Sequence, residues 1–179
     1  MSRTGIVTLL VAFLAAAGGL GYSVWSNNTE PVAAPSPIEI LLQQKYPDAS
    51  GNLTDLSAYR GQVIVVNFWA TWCAPCIEEM PDLSRLQTEL TEHGVQFLGL
   101  GIDNAENVLE FSQTKVKVLY PLLVLGAAGI EMGKKFGNTE GGLPYTVVVD
   151  RNGKIADRTI GRVDIERLRR VILRTAALE

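Results

Sequence analysis

One stretch of this sequence, Val63 to Cys76, constrains the fold more than any other. It begins with an apolar, β-branched run, passes through two tryptophans and ends in Cys-Ala-Pro-Cys. The run has the length and residue types of a buried central strand, of the kind found in parallel sheets. Pro75 suits the first turn of a helix, where its missing N–H costs nothing. The stretch therefore predicts a strand that leads directly into a helix, with both cysteines at the junction.

The two cysteines of this junction predict a dithiol redox site. At a helix N terminus, unpaired backbone N–H groups and the positive end of the helix dipole favour a thiolate at Cys73. The thiolate, rather than the thiol, attacks disulfides. Cys76 lies three residues later on the same side of the helix, near enough to form a disulfide with Cys73 and release a trapped substrate. We expect Cys73 to be exposed and Cys76 to be covered by the first helical turn.

Two other kinds of cysteine site compete with this interpretation. A structural disulfide across so short a loop would restrict the unfolded chain only slightly. A zinc site needs about four ligands, and the chain contains two cysteines and one histidine, His93. Carboxylates could complete such a set, but a lone thiolate pair at a strand–helix junction is more typical of redox chemistry. We therefore predict no metal and no cofactor, and assign His93 no role.

Length and charge limit the classes of protein that remain. The chain has 179 residues and a net charge of −3 at pH 7, with a pI near 5.3. Nothing in this charge balance favours binding to nucleic acid. The length accommodates one domain with a sizeable core plus an appendage. Two cysteines are too few for a separate disulfide framework, so the cysteine content does not reveal whether the protein works in an oxidising compartment. The N-terminal residues supply that information.

The N-terminal residues predict a membrane anchor. Residues 5–25 are mostly apolar, and no charged residue occurs between Thr4 and Asn28. At about 1.5 Å per residue, this segment can cross a hydrocarbon core of about 30 Å. Arg3 precedes the segment, so the positive-inside tendency assigns residues 1–4 to the cytoplasm.

A cleaved signal peptide is the alternative, because residues 15–17 are three alanines and offer a small-residue cleavage site. We favour the anchor because the apolar run continues beyond that site. Residues 26–37 contain three prolines and predict a flexible-to-extended linker. In either case the remaining domain, residues 38–179, is expected outside the cytoplasm.

The residues after Cys76 have the period of an amphipathic helix. Its apolar face consists of residues three and four apart, namely Cys76, Met80, Leu83, Leu86 and Leu90. Glu79 lies three residues after Cys76 and four before Leu83, so it leans toward the buried side. A partly desolvated carboxylate there would have a raised pKa and exchange protons with a thiol. The alternative is a boundary residue whose carboxylate reaches solvent.

The other patterns predict a mixed sheet between helices. The other predicted strands lie at residues 38–42, 95–102, 120–124, 143–150 and 154–160, and the last two form a hairpin. Asp103 to Glu106 has the spacing of a capping box for a helix that ends near Thr114. A further helix is expected over residues 129–136, and Asp164 is expected to cap a closing helix. We expect the first strands of the domain to pair in parallel and the strands of the C-terminal hairpin to pair antiparallel, which gives an α/β fold.

These motifs resemble the thioredoxin fold, and more narrowly the TlpA/ResA/CcmG group of membrane-anchored, extracytoplasmic thiol–disulfide oxidoreductases. The similarity covers roughly residues 38–178 and is most specific at Asn67 to Cys76 and at Glu79-Met80-Pro81. Residues 104–137 resemble the strand-and-helix insertion of that group. The resemblance implies a thioredoxin-like mixed β-sheet sandwiched by helices, with an inserted strand–helix segment, preceded by one N-terminal transmembrane helix.

The resemblance also implies roles for individual residues. Cys73 would be the attacking thiol and Cys76 the resolving thiol of a redox-active disulfide. Trp72 and Pro144 would bind substrate, with Pro144 as a cis-proline whose backbone pairs with a bound polypeptide. Glu79 matches the group's buried catalytic acid.

Asn67 stands where cytoplasmic thioredoxins carry a buried, proton-shuttling aspartate, and this departure shifts proton handling toward Glu79.

The implied activity is the reduction of protein disulfides, for example in cytochrome c maturation or a similar periplasmic pathway. The implied partners are a disulfide-containing client protein and a dithiol-type electron donor in the membrane. The implied location is the bacterial inner membrane, with one span and the domain in the periplasm, or the periplasm or exterior after cleavage. The direction of exchange depends on redox potential rather than on fold. Ala74-Pro75 and the predicted anchor resemble the reducing members.

Two functions from other classes remain open. In one, the cysteines bind Cu(I) for delivery to an oxidase, since soft thiolates select that ion. No additional Met or His ligand accompanies the pair, which disfavours this function. In the other, the chain is a thiol peroxidase, although that chemistry favours an isolated low-pKa cysteine beside an activating arginine.

Overall fold

The computed structural model describes residues 34–114 and 117–177. The helices are α1 (Pro37–Leu42), α2 (Ala74–Leu90), α3 (Ala105–Thr114), α4 (Ala128–Lys135) and α5 (Ile165–Ala177). The strands are β1 (Lys45–Pro47), β2 (Leu53–Asp55), β3 (Val63–Trp69), β4 (Val95–Gly101), β5 (Leu122–Val124), β6 (Tyr145–Val149) and β7 (Ile155–Ile160). Short 3-10 turns occur at Leu56–Tyr59 and Thr91–His93.

The main sheet is mixed, as predicted, and β3 lies at its centre. Its five strands have the order β5-β4-β3-β6-β7. β3 pairs in parallel with β4 and antiparallel with β6. β5 is the parallel edge strand, and β7 closes the other edge as the second strand of the predicted hairpin. The thioredoxin-like α/β class is therefore confirmed for the described residues, and β1 and β2 form a separate antiparallel pair.

The side chains of β3 divide the core into two layers. Its odd-numbered apolar residues pack with both cysteines and with α2, α3 and α5. Its even-numbered residues pack with α1, α4 and the Leu56–Tyr59 turn. Because successive side chains of a strand point to opposite faces, Asn67 lies on the same face as the cysteines.

The prediction of a strand at residues 38–42 is wrong, because this segment is helix α1. Ser36 and Glu39 form a capping box: the Glu39 N–H donates to Ser36 Oγ at 3.3 Å, and the Ser36 N–H donates to Glu39 Oε2 at 2.6 Å. Pro37 follows the cap, at a position where a missing N–H costs nothing. Ile38, Leu41 and Leu42 then share one buried face. The spacing of these three residues is helical, and the segment is too short for period alone to separate the two structures.

The cap of α3 also differs from the prediction. The Asn107 N–H bonds Asn104 Oδ1 at 2.9 Å, so Asn104 caps the helix and Asp103 does not. The predicted strand at 120–124 is shorter and begins at Leu122. At α5 the prediction holds, because Asp164 Oδ1 accepts the Arg167 N–H at 2.8 Å.

The predicted anchor, residues 5–25, lies outside the described residues, as does most of the predicted linker. Within the part of the chain that the structure describes, none of the helices combines the length and the apolar character needed to span a bilayer.

Candidate active site

The candidate active site lies where β3 ends and α2 begins. Cys73 immediately precedes α2 as its N-cap residue, and Pro75 lies in the first turn. Cys73 and Cys76 form a disulfide whose Cα atoms are 5.3 Å apart. The Cys73 carbonyl accepts the N–H groups of Cys76 at 3.0 Å and Ile77 at 3.2 Å, which start the helix. A Cys73 thiolate would therefore face the positive end of the α2 dipole.

The two sulfurs differ less in exposure than expected. Cys73 is 5% exposed and Cys76 is 0% exposed, so the expectation of an exposed Cys73 is wrong for this oxidised state. The reason is the disulfide itself, which holds Cys73 against Cys76 and within the same buried layer. The direction of the difference is as predicted. Trp72 is 69% exposed beside Cys73.

The loop that presents the cysteines is fixed by Asp103. The Thr71 hydroxyl donates a short hydrogen bond to Asp103 Oδ2. Asp103 Oδ1 accepts the Asn104 N–H at 2.8 Å and Asn107 Nδ2 at 2.9 Å. Burial by itself raises the pKa of Asp103, but the hydrogen bonds from Thr71, Asn107 and Asn104 outweigh it and lower that pKa. Asp103 is therefore held as a carboxylate that orients the loop.

Glu79 lies inside the protein, as its helical position suggested, with 1% of its surface exposed. Asn67 Nδ2 donates to Glu79 Oε1 at 2.9 Å and also to Thr146 Oγ1 at 3.0 Å. The Val163 N–H donates to Glu79 Oε2 at 3.0 Å. The carboxyl group is thus bonded directly to the central strand and to the segment before α5, and is connected to β6 through Asn67.

Burial raises the pKa of Glu79 above the usual carboxyl value, although three groups oppose the shift. The opposing groups are the Val163 N–H, the Asn67 amide and, at longer range, the Arg162 guanidinium. Arg162 Nη1 itself bonds Glu78 Oε2 at 3.0 Å on the surface. A carboxyl group with a raised pKa, one turn after Cys76, is suited to exchange a proton with a thiol.

A cis peptide bond joins Leu143 to Pro144, in agreement with the predicted cis-proline. Tyr145 pairs with Phe68, so this peptide lies at the same end of the sheet as the cysteines. Leu143 packs against the buried layer that contains them.

The predicted backbone contact of Pro144 needs revision. The Pro144 carbonyl already accepts the Gly161 N–H at 2.8 Å, and proline has no N–H to donate. Among the described residues, neither the N–H nor the carbonyl of Leu143 has a hydrogen-bond partner. Asn138 Nδ2 donates to the Gly142 carbonyl at 2.9 Å and steadies this loop. Leu143, rather than Pro144, has the backbone groups that suit a bound polypeptide.

The structure brings the five predicted site residues to one end of the sheet in different environments. The cysteines form a disulfide, Trp72 is exposed beside it, Pro144 is buried in the neighbouring loop and Glu79 lies in the interior. Sequence reasoning missed the contacts that hold this site together: it gave no role to Thr71, Thr146 and Val163, treated Asp103 only as part of a helix cap, and noted Asn67 only as a departure from the aspartate of cytoplasmic thioredoxins. Only Asn67 carried a usable signal, as a polar residue inside an apolar strand.

The described residues add no evidence for a metal ion at the site. Within residues 34–114 and 117–177, no three His, Cys, Asp or Glu side chains lie close enough together to hold a metal ion.

Comparison with protein families and sequences gives a consistent result. The sequence model of the family described as Redoxin matches residues 33–172. The chain is 30% identical over 165 residues to thiol-disulfide oxidoreductase ResA of Geobacillus thermodenitrificans, covering 86% of this chain and 82% of the relative. It is 30% identical over 123 residues to a ResA of Bacillus cereus, covering 68% of each chain.

Solved structures with the same fold include two from other bacteria. A thioredoxin-related protein from Neisseria meningitidis serogroup B is 31% identical, with a TM-score of 0.60, covering 68% of this chain and 90% of that one. A thiol:disulfide interchange protein of the thioredoxin family from Chlorobium tepidum TLS has a TM-score of 0.65 at 24% identity, covering 75% of this chain and 93% of that one. At that identity, the second likeness concerns the fold alone.

Proposed function

Because this chain belongs to the Redoxin family, as a thioredoxin-like thiol–disulfide oxidoreductase of the TlpA/ResA/CcmG type, we propose that it reduces disulfides of client proteins outside the cytoplasm. The observation that carries the proposal is the Cys73–Cys76 disulfide at the N terminus of α2. Trp72, immediately before Cys73, is exposed, and Glu79, one helical turn after Cys76, is buried. This arrangement provides a nucleophile, a resolving thiol, a docking side chain and a proton-exchanging group.

The proposed reaction consists of two exchanges that conserve sulfur bonds and electrons. The Cys73 thiolate attacks one sulfur of the client disulfide, so a mixed disulfide forms and the other client sulfur leaves as a thiolate, which takes up the proton that Cys73 had released to solvent. Cys76 then attacks Cys73 Sγ, the client's second thiol is released, and the Cys73–Cys76 disulfide forms. The client gains two electrons and two protons, which the dithiol of this protein loses. A membrane dithiol donor returns them in the reverse exchange.

Glu79 is proposed to move the proton of the second exchange. Cys76 is fully buried, so its thiol has little access to water as a base. The Glu79 carboxylate lies one helical turn further along the same side of α2, and its raised pKa favours its acceptance of a proton from the thiol. When Cys76 is regenerated during reduction, the same group returns the proton.

Client binding is proposed to use Trp72 and the Leu143–Pro144 peptide. An exposed indole offers a large apolar contact area at little entropic cost, and Trp72 is directly adjacent to the attacking sulfur in sequence. The unpaired N–H and carbonyl of Leu143 suit an extended client segment, which pairs through its backbone as an added strand does.

The direction of exchange is proposed from the resemblance to the reducing members of the group. The Ala74-Pro75 dipeptide between the cysteines and the predicted anchor both support reduction, with electrons from a membrane dithiol donor. Cytochrome c maturation, or a pathway of similar chemistry, is the proposed context.

Trapping tests the proposed function directly. In Cys76→Ala the second exchange cannot occur, so the mixed disulfide through Cys73 should accumulate and dissociate with dithiothreitol. Clients identified by mass spectrometry should carry a cysteine pair, and Cys73→Ala should trap none of them. A cellular pool of this protein that remains fully oxidised, together with clients that lose disulfides when the gene is deleted, would contradict the reductase direction.

Localisation is proposed as one span in the bacterial inner membrane with the domain in the periplasm. Support comes from the apolar residues 5–25 after Arg3 and from the positive-inside tendency. A reporter that is active only outside the cytoplasm, fused after Glu179, should be active. Activity of a cytoplasm-specific reporter at the same position would contradict the proposal.

A further inference from the structure

Asn138 is a buried polar residue that the proposed reaction does not use. It lies in the loop between α4 and Pro144 and is 5% exposed. Its Nδ2 donates to the Gly142 carbonyl at 2.9 Å, and its side chain makes no other hydrogen bond to the described residues. Asn138 Oδ1 is buried without a partner in the same part of the chain. Since an unpaired buried oxygen costs stability, stability alone is a poor explanation of this side chain.

The backbone at Asn138 is held independently of its side chain. The Asn138 N–H donates to the Gly133 carbonyl of α4 at 2.9 Å. Two residues earlier, the Phe136 carbonyl accepts the Tyr145 hydroxyl and Arg158 Nε, each at 3.0 Å. These bonds connect the end of α4 to β6 and to β7. The Asn138 amide therefore extends from a fixed segment of backbone.

The residues at the other end of this amide bond have little conformational preference of their own. Gly141 has a φ of +71° and is exposed. Gly142 follows it, and glycine tolerates many backbone conformations. Without Asn138, no hydrogen bond from the described residues would hold the peptide between Gly142 and Leu143 in one orientation.

Asn138 thereby orients the N–H of Leu143. The Gly142–Leu143 peptide is trans, because the cis bond among the described residues is the next one, Leu143–Pro144. In a planar trans peptide the C=O and the N–H point in opposite directions. The bond from Asn138 to the Gly142 carbonyl therefore turns the Leu143 N–H away from Asn138. Within the described part of the chain that N–H has no partner, and Leu143 packs against the buried layer that contains both cysteines.

We propose that Asn138 is a positioning residue for client binding: by holding the Gly142 carbonyl, it directs the Leu143 N–H toward the backbone of a bound polypeptide. The client supplies a peptide carbonyl as the acceptor, as an added strand does. Asn138 acts through Leu143 and takes no part in the exchange of sulfur bonds. It should therefore favour disulfides within polypeptides over disulfides that lack amide groups. This inference rests on the proposed reduction of client disulfides.

Asn138→Ala in the full-length chain tests the inference with two disulfides. One links two acetylated and amidated pentapeptides through their central cysteines; the other is hydroxyethyl disulfide, which has no amide group. The oxidation rate of the pre-reduced protein is measured against the concentration of each. For the peptide, the half-saturating concentration should rise about tenfold, the effect of losing one hydrogen bond, and the limiting rate should not change. The rate with hydroxyethyl disulfide should equal the parent's.

Gln87→Ala is the matched control. Gln87 is also 5% exposed, and its Nε2 also donates to a backbone carbonyl, that of Val95, at 3.1 Å. Val95 pairs with Val63, at the end of β3 opposite the cysteines. Gln87→Ala should lower the midpoint of urea unfolding and keep the parent's kinetics with both disulfides. A tenfold rise in the half-saturating peptide concentration for this control would identify a general effect of destabilisation and overturn the inference.

Asn138→Asp is a second variant, and it has the shape of the parent side chain. An ionised carboxylate cannot donate to the Gly142 carbonyl, whereas the neutral acid can. The ratio of its half-saturating peptide concentration to the parent's should be raised at high pH and return toward one as the pH falls. A ratio that is the same at every pH would contradict a role for this hydrogen bond in client binding.

Failure of this inference is distinguishable from failure of the proposed function. If the parent reduces the peptide disulfide and Asn138→Ala matches it in half-saturating concentration, only the role of Asn138 is wrong. Equal losses with the peptide and with hydroxyethyl disulfide would assign Asn138 to the structure of the redox site, and would also overturn its role in client binding. If the parent reduces neither disulfide and Cys76→Ala traps no client, the proposed function fails, and this inference fails with it.

Discussion

The Val163 N–H donates a hydrogen bond to Glu79 Oε2 at 3.0 Å, and this bond joins the cysteine-bearing helix α2 to the segment that leads into α5. Glu79 therefore belongs both to the redox site and to the packing of the C-terminal helix. The opposite oxygen bonds Asn67 on the central strand at 2.9 Å. Because one buried carboxyl group connects these elements, pH should affect stability as well as exchange.

The stability of the oxidised protein should depend on pH through Glu79. Burial raises the Glu79 pKa in the folded state, so the folded protein binds this proton more tightly than the unfolded chain. The Glu79 contribution to stability is complete below the usual carboxyl pKa and is lost as pH rises through the raised value. Urea unfolding between about pH 4 and about pH 8 measures this dependence. Over that range, the free energy of unfolding of Glu79→Gln should fall less with rising pH than that of the parent. Glu131→Gln, at an exposed ion pair, should keep the parent's slope.

Disulfide exchange should also depend on Glu79. Glu79→Gln keeps the shape of the side chain and removes its charge and its proton exchange. We expect a folded variant whose active-site thiol titration shifts and whose exchange slows by about 10²-fold or more, the usual contribution of general acid–base assistance. If Glu79 and Cys76 exchange a proton as proposed, the measured titration reports on the pair rather than on either group. Parental values for both titration and rate would make Glu79 a purely structural residue.

Alkylation should distinguish the two cysteines of the reduced protein. Cys73 precedes the first turn of α2, where the helix dipole favours its thiolate, whereas Cys76 has no exposed surface. Limiting iodoacetamide at neutral pH should therefore modify Cys73 first, as determined by peptide mass spectrometry. Preferential labelling of Cys76 would reverse the proposed roles.

Removing the Asp103 carboxylate should loosen the loop before the cysteines. Asp103→Ala leaves the half-buried Thr71 hydroxyl and the exposed Asn107 amide without their acceptor, and loss of the Thr71 bond should lower the free energy of unfolding by about 1–3 kcal/mol at neutral pH. The folded pKa of Asp103 is lowered, so its contribution is present above the usual carboxyl pKa and is lost as pH falls through the folded value. Measured by urea unfolding, the difference in the free energy of unfolding between Asp103→Ala and the parent should become smaller as the pH falls. Glu131→Ala, at an exposed ion pair, should cost far less.

Trp72 should matter more for protein clients than for small disulfides. Its indole is 69% exposed and adjacent in sequence to Cys73, the proposed nucleophile, so Trp72→Ala should raise KM for a protein client about tenfold. Exchange with oxidised glutathione should change much less, because so small a disulfide needs little docking surface. Leu53→Ala is the control, since Leu53 is 68% exposed outside the candidate site. An equal loss with both substrates would assign Trp72 to the chemistry and not to docking.

The sequence by itself predicted the elements whose signals are local. Val63 to Cys76 predicted a buried strand, a turn and a helix N terminus, because β-branched residues, a proline at the helix start and apolar spacing each act within a few residues. The period after Cys76 placed Glu79 toward the interior, where the structure places it. Local patterns were insufficient for residues 38–42, since an apolar run of that length fits a strand or a helix and the Ser36–Glu39 capping box decides between them.

Only the tertiary structure decided which groups meet at the site. Glu79 and Val163 are 84 residues apart in sequence, Asn67 and Thr146 are 79 apart, and Thr71 and Asp103 are 32 apart. No local period encodes such contacts, because they result from strand order and register across the sheet. The same holds for Pro144, whose carbonyl is occupied by Gly161 once the hairpin forms. The sequence determined which chemical groups are present, and packing determined which of them are buried, paired and shifted in pKa, because desolvation and hydrogen bonding depend on neighbours that the fold brings together.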